Sequence, residues 1–188
     1  FFFLRKMLDN TVKTKSDLST LTIPFLVEIP RMVDEDDKFR KFRFRNDNDK
    51  SFTKIFVKQG SRDMMNEAFR VLRTNVDLMI DKSSPSHVIM LTSFNPNAGK
   101  TFTIMNMAAS MSLKGAKVLL VDLDLRKATL SKALSVNHTG VAAYLNGKTE
   151  DYHEHIETLD NGLSILPVGS LPPNPAELLL TERFRNMI

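Results

Sequence analysis

The feature that most constrains this chain is a run of nine residues, Ser93-Phe94-Asn95-Pro96-Asn97-Ala98-Gly99-Lys100-Thr101. Before it, residues 88–91 form a short apolar run that reads as a buried strand. After it, residues 100–113 read as a helix, with Ile104, Met107, Ala108 and Met111 on one side and Gly115 as the stop. A strand that turns through small residues into a helix aims that helix's unpaired N–H groups, and its positive end, at the turn. Anions are stabilised there. Gly99 lets the backbone turn tightly. Lys100 offers a mobile ammonium to phosphate oxygens, and Thr101 offers a hydroxyl to Mg²⁺, a cation that takes hard oxygen ligands. The candidate nucleotide-binding set is Asn95, Pro96, Asn97, Ala98, Gly99, Lys100, Thr101 and Phe102. The usual phosphate-loop pattern wants glycine where Phe94 stands. A Gly-Lys-Thr that merely caps a helix is the plainer alternative, and the flanking strand and helix weigh against it.

A second motif follows at Leu119-Leu120-Val121-Asp122-Leu123-Asp124-Leu125-Arg126. Residues 117–121 read as a second buried strand, apolar without alternation as parallel strands are. Asp122 and Asp124 then fall just past its carboxyl end, where open α/β sheets bind ligands. Alternate residues of an extended chain face the same way. Such a pair can hold Mg²⁺, or one member can accept a proton from an incoming hydroxyl. Lys100, Asp122 and Asp124 are the candidate catalytic residues. Thr101, Asp122 and Asp124 are the candidate metal ligands.

The remaining periodicity completes an α/β pattern with a mostly parallel sheet. Met65, Phe69, Leu72, Val76 and Met79 make one helical stripe. Residues 163–166 read as a third strand and residues 175–187 as a last helix, with Pro175 suited to its first turn. Composition excludes several chemistries. The chain has no cysteine, so it has neither disulfides nor thiolate chemistry. His87, His138, His153 and His155 are its only histidines, and their spacing suits no zinc site. A net charge of +4 is too small to argue for nucleic acid. No window approaches the roughly 18–20 apolar residues of a membrane span.

Residues 1–59 differ in character. Phe1-Phe2-Phe3-Leu4-Arg5-Lys6 resembles the cytoplasmic end of a membrane helix, apolar and then basic, or else a buried terminal strand. Residues 22–30 read as an apolar strand bracketed by Pro24 and Pro30. Asp34-Glu35-Asp36-Asp37, the basic-aromatic block 38–45 and Asn46-Asp47-Asn48-Asp49 read as a linker. Its basic part could press on anionic lipid, though a solvated arm is the simpler reading.

Taken together, the phosphate loop and the D-x-D-x-R motif resemble those of the bacterial P-loop tyrosine kinases that control capsular and extracellular polysaccharide synthesis. The second motif has the form of that family's Walker A′. Glu67-Ala68-Phe69-Arg70-Val71-Leu72-Arg73 matches its E-x-x-R-x-x-R helix. Residues 140–147, 166–169 and 172–179 resemble its later segments. The resemblance implies a P-loop NTPase-like three-layer sandwich over residues 60–188, preceded by a juxtamembrane segment and linker over 1–59. It implies ATP and Mg²⁺ as cofactors and transfer of a phosphoryl group to tyrosine. It also implies a ring-like homo-oligomer with Glu67, Arg70 and Arg73 at the interface and phosphorylation between subunits. The further partners would be a polysaccharide copolymerase segment of the inner membrane, at its cytoplasmic face, and a phosphotyrosine phosphatase. An i, i+3 ion pair between Glu67 and Arg70 is the plainer alternative for that helix.

Three departures qualify the resemblance. No apolar run ending in D-x-x-P (Walker B) follows Arg126, no tyrosine-rich tail is present, and Phe94 breaks the loop pattern. Truncation before Walker B would explain the first two. It would leave the sheet incomplete at the C-terminal side and the 188 residues with little activity of their own. Two rival functions remain. A partitioning-type P-loop ATPase would carry a lysine where Asn95 stands. A nucleotide-binding regulatory module would bind without transfer.

Overall fold

The computed structural model describes residues 12, 15–18, 21–30, 54–159 and 162–188. The terminal 1–6 run, the acidic and basic-aromatic blocks and residues 46–49 lie outside the described residues.

Helix α1 (Met64–Met79) begins where Asp63 caps it, its carboxylate accepting the Asn66 N–H at 2.9 Å. The expected stripe turns inward at Phe69 and Leu72, both buried, while Met79 at the far end stays exposed. Helix α2 (Lys100–Ser112) packs along α1. It is buried on most of its circumference, through Phe102 and the whole run from Met105 to Ser110. Strand β1 (Leu119–Val121) follows, then α3 (Thr129–Ala133), α4 (Val141–Leu145), β2 (Glu157–Thr158), β3 (Ser164–Leu166), α5 (Pro175–Leu178) and α6 (Glu182–Met187).

The described sheet has the order β1-β3-β2. β1 and β3 run parallel with Leu120 opposite Ile165, and β2 runs antiparallel to β3. The sheet is therefore mixed. Alternate strand residues face opposite sides, and the core divides accordingly. Leu120 and Ile165 join Phe69, Phe102 and Met105 on the α1/α2 side. Val121 and Leu166 join Val141, Leu145 and Leu178 on the α4/α5 side. Helix, sheet, helix is the three-layer arrangement the motifs imply.

Three expectations fail. Residues 88–91 stand in no ladder and are exposed, Met90 to 81%. A run apolar on both sides needs neighbouring strands and two covering layers, and no described strand lies beside this one. Residues 22–30 form no strand either. Leu26, Val27 and Ile29 instead pack on the α1/α2 core, and Leu26 offers its carbonyl to the Asn75 side chain. The last helix is two, because the Thr181 hydroxyl donates to Leu178 O at 2.7 Å and accepts from Phe184 N at 3.3 Å, ending α5 and capping α6. The residues just before α1 take part in the same packing. Val57 is buried, and Phe56 meets the Phe102 ring at 5.8 Å.

Candidate functional site

The loop before α2 has the backbone that phosphate binding requires. Asn97 (φ 58°) and Gly99 (φ 91°) both adopt left-handed conformations, which turn successive N–H groups toward one side. Gly99 occupies the N-cap of α2 and provides no side-chain acceptor. Its carbonyl accepts from Thr103 N at 2.9 Å, and the N–H groups of Lys100, Thr101 and Phe102 lie in the unpaired first turn. Lys100 folds back over the loop and donates from Nζ to Ser93 Oγ at 2.8 Å, while Ser93 Oγ donates to Asn95 O. Asn95, Pro96, Asn97 and Ala98 are exposed. Phe94 points wholly into solvent, so it neither closes the loop nor fills it. The side chain of Phe102 belongs to the core between Phe56 and Phe69, leaving only its N–H to face the loop.

Asp122 and Asp124 are close, since Asp122 Oδ1 accepts the Asp124 N–H at 3.1 Å. Their surroundings differ. Asp122 is 3% exposed, and its Oδ2 accepts both Ser131 N at 2.8 Å and Ser131 Oγ at 2.6 Å. Ser131 Oγ in turn accepts Val168 N at 3.1 Å. The carboxylate thus ties the end of β1 to α3 and to the segment after β3. Asp124 is exposed, accepting Lys127 N at 3.1 Å and Thr129 Oγ1 at 2.7 Å while keeping lone pairs toward solvent. Lys100 pairs with neither acid. The two motifs are joined through α2 and α3, which touch, with Phe102 and Leu130 in one core cluster.

These residues suit a magnesium nucleotide. A row of unpaired amides, one ammonium and one hydroxyl are phosphate and magnesium donors, and Asp124 adds an open carboxylate. Among the described residues no group of three or more histidine or acidic side chains forms a metal cage. Mg²⁺ fits such a site because it is usually held by one or two carboxylates together with substrate phosphates.

The E-x-x-R-x-x-R residues separate. Glu67 and Arg70 form the exposed i, i+3 ion pair. Arg73 turns the other way, its guanidinium donating to Ser110 O at 2.7 Å and Ser110 Oγ at 3.3 Å, so it bridges α1 to α2 within the chain. All three edge a groove of about 250 Å³ whose other walls include Lys58, Arg62 and Leu113. The Ser131 anchor escapes the sequence, because no periodicity relates Asp122 to a serine nine positions on.

The family model described as "CobQ/CobB/MinD/ParA nucleotide binding domain" matches residues 89–176. The chain carries a P-loop nucleotide-binding domain of that kind. Its homologues are bacterial tyrosine-protein kinases. It is 38% identical over 127 residues to the tyrosine-protein kinase Wzc of Salmonella typhimurium, covering 67% of this chain and 18% of that protein. It is 29% identical over 190 residues to the tyrosine-protein kinase Etk of Escherichia coli, covering 98% of this chain and 26% of that protein. The solved kinase domain of E. coli Etk superposes with a TM-score of 0.74 at 29% identity, over 93% of this chain and 66% of that one. The chain thus spans about a quarter or less of the length of these curated relatives.

Proposed function

We propose that this chain is the ATP-binding part of a protein-tyrosine kinase that acts in the synthesis and export of extracellular or capsular polysaccharide. The observation that carries the reading is the loop at 95–101, with its left-handed Asn97 and Gly99, unpaired first-turn amides and inward-folded Lys100. The kinase names of the relatives support the transfer chemistry.

ATP with Mg²⁺, when bound, supplies the transferable phosphoryl group and neutralises charge on the phosphate chain. The protein's part is positioning and electrostatics. The first-turn amides of α2 would hold phosphate oxygens. Lys100 would leave Ser93 for a phosphate. Thr101 and Asp124 would hold the metal from the open side. Asp122 has one oxygen, Oδ1, with spare acceptor capacity. Its role toward an incoming tyrosine hydroxyl, or toward the metal, rests on that oxygen. In the same reading Glu67 and Arg70 face a second copy in a ring in which tyrosines are phosphorylated between subunits, and Arg73 supports that helix from behind. The chain works at the cytoplasmic face of the inner membrane beside a polysaccharide copolymerase segment, with a phosphotyrosine phosphatase as opposing partner.

The test is Lys100→Met. Radiolabelled ATP should bind the folded wild-type chain, and the variant should bind at least tenfold more weakly with an unchanged circular dichroism spectrum. Equal binding by the two proteins refutes the assignment of the loop. ATP hydrolysis with no phosphotyrosine formed on any protein substrate would favour an ATPase instead.

A further inference from the structure

The segment 54–58 crosses the two helices of the nucleotide side without joining any sheet. Its backbone polar groups need partners, and two asparagines supply them. Asn106, fully buried on α2, accepts Phe56 N at 2.7 Å and Val57 N at 3.1 Å through Oδ1. Its Nδ2 donates to Lys54 O at 3.3 Å and to Phe102 O at 2.9 Å. Both lone pairs and both N–H groups of the amide are therefore used. From α1, Asn66 accepts Lys58 N at 2.8 Å and donates to Phe56 O at 3.4 Å.

The same segment touches the loop helix a second way. The Phe56 ring meets Phe102, which meets Phe69 of α1, each pair at 5.8 Å between centroids. Phe102 immediately follows Lys100 and Thr101, and its carbonyl is the one Asn106 holds. A displacement of 54–58 would therefore act on the turn of α2 that carries the phosphate-binding groups. Apolar packing alone tolerates sliding. A four-bonded buried amide does not, because each unmet group costs the full desolvation penalty.

We propose that Asn106 is a positioning residue that couples the segment 54–58 to the nucleotide loop. The position of the chain entering at Lys54 would thus set how tightly nucleotide is held. By linkage the effect is reciprocal, so bound nucleotide would hold the segment down. The proposal rests on the nucleotide-site reading above. It goes beyond it in naming a regulatory input, the chain upstream of the domain, and the residue that receives it.

The experiment is hydrogen–deuterium exchange of the wild-type chain with and without saturating Mg-ADP, resolved at residues 97–102 and at Phe56 and Val57. Coupling predicts slower exchange at 97–102 together with at least threefold slower exchange at Phe56 and Val57. Protection at 97–102 with no change at Phe56 and Val57 overturns the coupling and leaves the nucleotide site standing. No protection at either place overturns both. In Asn106→Ala, the folded variant should bind ADP at least fivefold more weakly and lose the nucleotide-dependent change at 56 and 57. Unchanged ADP affinity in a folded variant also overturns the proposal. Should the variant not fold, the wild-type comparison decides.

Discussion

Substitution of Asp122 tests whether this carboxylate is chiefly an anchor. Three donors converge on it, and the two on Oδ2, Ser131 N at 2.8 Å and Ser131 Oγ at 2.6 Å, come from a residue itself 3% exposed. Asp122→Ala strands both in a dry site. A buried unmet donor costs about 1–3 kcal/mol. The hydroxyl can turn, but its oxygen must still receive Val168 N, which limits the escape. The expected loss is about 3–5 kcal/mol, a large share of the roughly 5–15 kcal/mol that holds an ordinary domain together. Asp122→Asn can keep its oxygen toward Ser131. It loses the charge assistance and sets an NH₂ against the Asp124 N–H, so about 2 kcal/mol is expected. Urea unfolding followed by far-ultraviolet circular dichroism reads both. With a slope of about 1–3 kcal/mol per molar, the alanine midpoint should fall by at least about 1 M and the asparagine midpoint by roughly half as much. An alanine midpoint indistinguishable from wild type, or asparagine as damaging as alanine, refutes the reasoning.

Gly140→Ala should destabilise by about 3 kcal/mol in the same assay, because a Cβ there would lie 1.9 Å from the Pro167 carbonyl oxygen, which also receives Val141 N–H. Arg73→Ala should cost about 1–2 kcal/mol by removing the link from α1 to Ser110, whereas Arg70→Ala, exposed with Glu67, should change the thermal midpoint by less than about 1 °C. Asp63 is held down to about 2 from its ordinary 3.8, first by the Ser61 hydroxyl and then by the Asn66 N–H at the start of α1. A depressed carboxyl stabilises the fold above its unfolded value and loses that contribution as pH falls through its folded one. The cap on α1 should therefore weaken between about 3.8 and 2, with a carboxyl carbon-13 titration midpoint for Asp63 near 2 rather than 4.

What the sequence made legible was local. The phosphate loop could be read because glycine, lysine, threonine and the helix that follows are contiguous, and each acts through its own backbone or side chain. Helix α1 and strands β1 and β3 could be read because their periodicity lies within a few turns. Residues 88–91 misled because hydrophobicity states a demand for burial without naming the partner that meets it. The break between α5 and α6 was missed because Thr181 competes for the backbone on both sides, an effect that apolar spacing does not record. β2 was missed although Asn161-Gly162 before β3 is a hairpin signal. The contact of Arg73 with Ser110 was missed because the E-x-x-R-x-x-R spacing fixes a helix face and not what lies against it. The Asn106 clamp joins residues about fifty positions apart, and no single-sequence pattern encodes that.

These long-range contacts bear on the proposed nucleotide site because they hold the helix that follows the loop. Helix α2 is held on one flank by α1 through Arg73 and Ser110 and on another by the segment at 54–58 through Asn106, and it also touches α3. The acid motif fixes α3 in turn, since Asp122 grips Ser131. Helix α2 is thereby tied to other elements on several sides, while among the described residues the amides of its first turn have no acceptor. Fixed dipoles with no internal partner are what an incoming polyphosphate needs, because the cost of orienting them was met in folding and not at binding. In the proposed site the second motif would therefore serve in two ways, Asp124 by offering the metal an exposed carboxylate and Asp122 by holding α3 through Ser131.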